Sequence, residues 1–171
     1  MANKLNQQAG FTLLETLIYL ALFVIVSLVV SLILLSTTNA FLLAYNRRMA
    51  GTDGQNTLMR VVLETRQATS IDVANSVLGA NLSTLQLNTN DSGGSPTTVK
   101  FFVATSTLFV QTGVNTAQAL TSSSTKISKF MATRFSTASS EGINFDLTVT
   151  AGGRASSTGT FSDTAVVRGG Y

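Results

Sequence analysis

The chain has 171 residues, of which only 11% are charged, against about 25% in an average soluble domain. Its 11 Lys and Arg and 8 Asp and Glu give a net charge of +3, and no basic cluster exceeds one arginine pair, which argues against a dedicated nucleic-acid reader. The sequence contains no cysteine and no histidine, which excludes disulfide scaffolds, thiolate metal sites and catalysis that depends on Cys or His.

A long apolar run follows a short polar segment. Residues 1–10 carry one lysine and no acid, and residues 11–35 read FTLLETLIYLALFVIVSLVVSLILL, with Glu15 as the single ionisable side chain. A helix of this length would measure about 37 Å, which is enough to cross a hydrocarbon layer of ~30 Å. The apolar region of a cleaved signal peptide is shorter, about 7–15 residues. The run therefore predicts a transmembrane helix that remains part of the protein.

Glu15 is the feature that a plain membrane anchor leaves unexplained. An acid inside a transmembrane run costs about 2.5–3.5 kcal/mol on insertion scales and usually has a partner. Gly10 directly precedes Phe11, and cleavage between them would place a new α-amine about one helical turn from Glu15. At 4 Å such an amine–carboxylate pair is worth roughly 4 kcal/mol for an effective dielectric of 20. The amine could belong to the same chain or to a neighbour, and an interfacial glutamate without a role is the alternative.

Residues 36–72 predict an amphipathic continuation of the helix. Mostly apolar side chains recur at spacings of three and four, the pattern of one buried helical face. They are Phe41, Leu42, Tyr45, Met49, Leu58, Val61, Val62 and Thr65. Gly51 and Gly54 each weaken a helix by about 1 kcal/mol. Two shorter helices are therefore the alternative to one helix that ends near Ser70.

Residues 73–171 are rich in Ser and Thr and contain short alternating apolar runs, which predict an antiparallel β head solvated by hydroxyl groups. The predicted strands are 85–87, 97–105, 108–111, 127–135, 143–149 and 160–167. The predicted turns are 88–96, Ser106–Thr107, the Glu141–Gly142 corner and 151–159. The whole sequence predicts an α+β fold, in which a long N-terminal helix packs on a small antiparallel β-sheet.

The head shows no pattern that indicates catalysis. Its acids are scattered singly, and its glycine pairs lack a phosphate-binding frame. Five phenylalanines at strand positions are interpreted as core rather than as a stacking platform for bases. They are Phe101, Phe102, Phe109, Phe130 and Phe135. We therefore predict no catalytic residue, no metal and no cofactor, and the protein is predicted not to be an enzyme.

The segment around Glu15 resembles the type III signal of type IV prepilins. The string GFTLLE at residues 10–15, after a short basic leader and before some twenty apolar residues, has Gly before the cut, Phe after it and Glu as the fifth mature residue. The resemblance implies cleavage between Gly10 and Phe11 by an inner-membrane prepilin peptidase, followed by N-methylation of Phe11. It also implies that Glu15 engages the N-terminus of an adjacent subunit during filament assembly.

The resemblance further implies the partners and the location. The partners are the prepilin peptidase, other pilin or pseudopilin subunits, an inner-membrane assembly platform and, before assembly, the lipid bilayer. The chain is expected to cross the inner membrane once with its head outside the cytoplasm, and then to enter a pilus or pseudopilus. The positive charges on the two sides of the apolar run nearly balance, with Lys4 before it and Arg47 and Arg48 after it. The expected orientation therefore depends on the resemblance.

Two departures from major pilins favour a minor pilin or pseudopilin. Major pilins often have a proline in the membrane half of the helix and a cysteine pair, whereas here the single proline is Pro96 and cysteine is absent. Residues 56–111 are similar in layout to minor pilins and J-type pseudopilins. The predicted function is thus a structural subunit of a type IV pilus-like or type II secretion filament, with the machine left open. An unprocessed, single-pass membrane-anchored β-rich binding domain is the alternative, and a membrane-anchored enzyme ranks third.

The chain is therefore predicted to consist of four segments. They are a prepilin leader at 1–10, a transmembrane and filament-core helix at 11–35, an amphipathic helix half at 36–72 and the β head at 73–171.

Overall fold

A computed structural model describes residues 12–137, 140–153 and 155–167. The chain divides into two compact units, Met1–Phe41 and Leu42–Tyr171. The elements in chain order are α1 (Leu13–Gln67), β1 (Ser70–Ile71), β2 (Leu85–Asn90), β3 (Pro96–Ala104), β4 (Thr107–Thr112), β5 (Gln118–Ala119), β6 (Thr125–Ser136), β7 (Glu141–Ala151) and β8 (Ser157–Val166).

Helix α1 is continuous through both of its glycines. It contains neither Gly nor Pro before Gly51, so nothing in this part of the sequence breaks the backbone hydrogen-bond pattern. The two-helix alternative is wrong, because Gly51 and Gly54 are both helical. The helix ends at Gln67, three residues before the predicted end at Ser70.

The ring of Phe161 explains why residue 54 of the helix is a glycine. A Cβ at Gly54 would lie 2.1 Å from Cε2 of Phe161 in β8, whereas a Cβ at Gly51 would have nothing within 4 Å. A second contact ties the same unit together, since Asn46 Nδ2 donates to the carbonyl of Ala155 at 2.6 Å. Packing of this face compensates for the low helix propensity of glycine.

The buried face of α1 begins later than predicted. Its buried residues are Ala50, Gly54, Thr57, Leu58, Val61, Val62 and Thr65. The second half of the predicted face is confirmed, because it is buried at Leu58, Val61, Val62 and Thr65. The first half of the predicted face is wrong, because Phe41 and Tyr45 are 69% and 54% exposed. The buried face of the helix begins at Ala50.

The first sheet is antiparallel with the strand order β1-β2-β3-β4-β5. The β3–β4 hairpin turns at Thr105 and Ser106, one residue before the prediction, and both residues have positive φ (51° and 61°), as a type I′ turn requires. The β2–β3 turn is shorter than predicted, because β2 continues to Asn90 and β3 begins at Pro96. The two-residue strands β1 and β5 were not predicted.

The second sheet is antiparallel with the order β6-β7-β8. The predicted corner at Glu141–Gly142 is wrong, because both residues lie in β7 and Glu141 pairs with Ser136. Gly142 serves packing instead: a Cβ there would lie 2.4 Å from Cζ of Phe135. Strand β8 begins at Ser157, three residues before the prediction.

The core lies between α1 and the two sheets. The predicted inward face of β7 is confirmed, since all four of its apolar residues are buried: Ile143, Phe145, Leu147 and Val149. Phe101 and Phe130 are also core residues, as predicted. Phe102 and Phe109 are not, because side chains alternate along a strand and these two stack on the opposite sheet face with centroids 5.7 Å apart. Phe135 is half-buried over Gly142.

Backbone hydrogen bonds join β6 to the segment before β2 and to the β3–β4 turn. The N–H of Phe130 donates to the carbonyl of Asn81 at 2.8 Å, and its carbonyl accepts from Ser83 at 2.7 Å. Ile127 donates to the carbonyl of Ser106 at 2.7 Å. The prediction of an α+β fold with a long helix packed on antiparallel sheet is confirmed.

Candidate functional site

The candidate site is the first turn of α1. The hydroxyl oxygen of Thr12 accepts a hydrogen bond from the backbone N–H of Glu15 at 3.3 Å, as an N-cap residue does. Thr12 followed three residues later by Glu15 has the spacing of a capping box. The positive end of the helix dipole also favours an acid in this turn. Local backbone chemistry therefore accounts for the helix start and for a carboxylate beside it.

The Glu15 side chain has a partner one turn further along the helix. The Tyr19 hydroxyl donates a hydrogen bond to Oε1 of Glu15 at 3.0 Å. Among the described residues this is the hydrogen bond that the carboxylate receives, so Glu15 does not close the capping box by accepting from the N–H of Thr12. Glu15 is half-buried, unlike its neighbours along the apolar run.

The apolar surface that follows Glu15 is uncovered within the chain. α1 is long and apolar enough to cross a membrane, and none of its most hydrophobic window is buried. The hydroxyls of Ser31, Thr37 and Thr38 donate to carbonyls four residues earlier, which satisfies them without a partner outside the helix. A continuous apolar surface of this size fits lipid or other protein better than water.

The predicted site residues divide between described and undescribed parts of the chain. Gly10 and Phe11, the predicted cleavage and methylation positions, lie outside the described residues. Glu15 lies in the first turn of α1. Sequence reasoning missed Tyr19, although its position four residues after Glu15 puts both side chains on one helical face.

Asp53 joins α1 to the start of β6 and to the segment before it. Its Oδ2 accepts hydrogen bonds from the hydroxyls of Ser122 (2.6 Å) and Thr125 (2.7 Å) and from the backbone N–H of Ser122 (3.2 Å). Burial raises the pKa of Asp53, but these hydrogen bonds outweigh it and hold the pKa below its ordinary value of 3.8. The carboxylate thus links α1 to the start of β6.

Other carboxylates of the head also serve the fold. Asp91 accepts from the backbone N–H groups of Gly93 and Ser95 in the β2–β3 turn. Ion pairs across the β6–β7 hairpin join Lys129 to Asp146 at 3.4 Å, and Arg134 to Glu141. Within residues 12–137, 140–153 and 155–167, no three acidic, His or Cys side chains form a group that could hold a metal.

A groove of about 470 Å³ runs between α1 and β8 in the head. Its lining includes Met59, Leu63 and Phe161, with Arg66 and Asp163 as its charged members. Five of the nine lining residues are apolar, so the groove offers mainly packing surface.

The comparisons with known proteins point to the N-terminal segment. Residues 5–31 match a family described as the prokaryotic N-terminal methylation motif. No curated protein and no solved structure matches the chain. The match includes the GFTLLE string and the first part of the helix that begins at Leu13. The N-terminal segment of this chain therefore carries a type IV prepilin-like signal.

Proposed function

We propose that this chain is a minor pilin or pseudopilin, a structural subunit of a type IV pilus-like or type II secretion filament. One observation carries the proposal: the methylation motif at residues 5–31 coincides with the start of a long helix whose apolar surface is uncovered. Glu15 is the single acid in that apolar run. An extended apolar helix with one acid near its start suits a subunit that waits in a membrane and later packs against copies of itself or its relatives.

In this proposal, prepilin peptidase removes residues 1–10 by cutting between Gly10 and Phe11, and Phe11 is then N-methylated. The new amine carries a positive charge into an apolar environment, where it needs a counter-charge. Glu15 of a neighbouring subunit supplies it and thereby sets the axial register of the filament.

The proposal also assigns a role to each segment of the mature chain. Residues 11–35 form the transmembrane and filament-core helix, 36–72 its amphipathic half and 73–171 the β head. Before assembly the protein crosses the inner membrane once with the head outside the cytoplasm, where it meets the assembly platform and other subunits.

The intact mass of the protein extracted from membranes of its own host tests the proposal. We expect a chain that lacks residues 1–10 and carries one added methyl group at Phe11. A Gly10→Asp variant is the matched control and should retain its full length, because the residue before the cut is altered. A full-length natural chain in cells with active prepilin peptidase would contradict the proposal. The leading account would then be the unprocessed, membrane-anchored β-rich binding domain.

A further inference from the structure

The hydrogen bond between Tyr19 and Glu15 is made within the N-terminal part of α1. It joins two side chains at positions i and i+4 on the outside of α1, with the Tyr19 hydroxyl 3.0 Å from Oε1 of Glu15. Tyr19 is 54% exposed, and the residues on either side of it in the sequence, Ile18 and Leu20, are apolar and exposed. The contact is therefore made at the surface that would face lipid or another subunit.

An apolar environment increases the value of this contact. Water competes for a carboxylate at an ordinary protein surface, but it is scarce beside a transmembrane helix, so a donor on the same helix is strongly favoured there. Tyrosine suits this position, because its ring is apolar and its hydroxyl is a donor at the end of the ring. Tyr19 can thus satisfy one oxygen of Glu15 before any other subunit is present.

The contact leaves Glu15 able to bind a cation. An ionised carboxylate has two oxygens and about four acceptor positions, and the Tyr19 hydroxyl uses one of them on Oε1. Tyr19 is neutral, so it does not cancel the charge of the acid. The charge remains for an ammonium group, and Oε2 accepts no other hydrogen bond among the described residues.

We propose that Tyr19 is a positioning residue for Glu15: its hydroxyl fixes the carboxylate against α1 and leaves Oε2 to receive the α-amine of a second processed subunit. The inference rests on the proposed function for its partner, but the contact itself does not depend on that function. Tyr19 acts through Glu15 and makes no bond to the amine.

The first test detects the contact in the membrane-inserted full chain. The sequence has three glutamates, Glu15, Glu64 and Glu141, so isotopic labelling of glutamate carboxyl carbons gives few NMR signals. In bilayer nanodiscs, Tyr19→Phe should shift the signal of Glu15 and leave the other two unchanged. Tyr45→Phe is the matched control, because it removes a hydroxyl from the same helix where the structure gives no hydrogen bond to Glu15.

The second test measures whether the contact serves assembly. Tagged variants are expressed in the host together with an untagged natural chain, and the tagged fraction in sheared filaments is compared with that left in membranes. Tyr19→Phe should reduce incorporation by about tenfold, the effect of losing one hydrogen bond to a charged group. In a Glu15→Gln background the same change should have little effect, and Tyr45→Phe should have little effect in either.

The outcomes separate this inference from the proposed function. An unchanged Glu15 signal in Tyr19→Phe overturns the contact, and a shifted signal with normal incorporation overturns the positioning effect. An equal loss in both backgrounds shows that Tyr19 acts by its own packing, which also rejects the inference. Normal incorporation of Glu15→Gln refutes the pairing of Glu15 with an amine, even where the NMR shift shows that the contact with Tyr19 exists.

Discussion

At the scale of single residues, Gly54 decides how closely a strand approaches α1. The ring of Phe161 occupies the space where a side chain at residue 54 would begin. We expect Gly54→Ala to destabilise the protein by about 1–3 kcal/mol, because the ring must move or the helix must shift. Thermal unfolding of the full chain in detergent micelles, followed by the resistance of the head to proteolysis, measures this change.

Gly51→Ala provides the matched control on the same helix. A side chain there meets no atom within 4 Å, so the better helix propensity of alanine should leave stability unchanged or raise it by up to about 1 kcal/mol. Equal effects of the two substitutions would show that Phe161 does not pack on Gly54.

Asp53 makes head stability depend on pH. Its folded-state pKa lies below the ordinary 3.8, so its contribution is complete above that value and is lost as the pH falls through the lowered folded-state pKa. At neutral pH, Asp53→Asn should cost about 1–2 kcal/mol, since hydrogen bonds from Ser122 and Thr125 lose their charged acceptor. Urea unfolding across the acid range should show this difference shrinking below pH 3.8.

The control for this titration is Asp163→Asn. Asp163 is exposed, and its described hydrogen bond comes from the N–H of the adjacent Thr164. Its replacement should change stability little at any pH. A constant difference between the natural protein and Asp53→Asn down to strongly acidic pH would contradict the assignment to Asp53.

At the scale of elements, strand β3 presents two adjacent phenylalanines to different environments. Phe101 is fully buried, whereas Phe102 stacks on Phe109 on the outer face. We expect Phe101→Ala to cost about 3–5 kcal/mol, as for a large core side chain. Phe102→Ala should cost far less, roughly 1 kcal/mol, which is the value of an aromatic pair. Equilibrium unfolding of both full-length variants measures the two losses in the free energy of unfolding. Equal losses would show that both rings lie in one core.

The contrast between a buried face and an outer face also explains which strands the sequence could predict. Alternation over 143–149 was sufficient to identify the inward face of β7, because one side of that strand is buried throughout. Strands β1 and β5 have two residues each and carry no periodic signal. Close packing and a turn both select glycine, so the sequence alone predicts a turn at Gly142. The ring of Phe135 and the carbonyl oxygen of Ala165 show that close packing is the reason for this glycine.

At the scale of the whole molecule, local patterns predicted the α+β fold, and long-range contacts decided the rest. The division into a five-stranded and a three-stranded sheet, and the start of the buried helix face at Ala50, depend on residues far apart in the chain. At the candidate site, the apolar run and its single acid pointed to Glu15. The spacing places Tyr19 on the same helical face as Glu15, but a hydropathy pattern does not show that the Tyr19 hydroxyl reaches the carboxylate. Gly10 and Phe11 remain predictions.

The contacts that close the head also govern when it can fold. Asn46 and Ala155 are 109 positions apart, and Arg66 and Thr164 are 98 apart. Contacts between residues so far apart in the sequence form slowly, because the long segment between them must be closed into a loop first. Strand β8, whose Phe161 fills the space above Gly54, leaves the ribosome after the other strands of the described residues. During synthesis the part of the helix face beside Gly54 therefore stays uncovered until β8 has been made, and in that interval the nascent protein is open to aggregation and proteolysis.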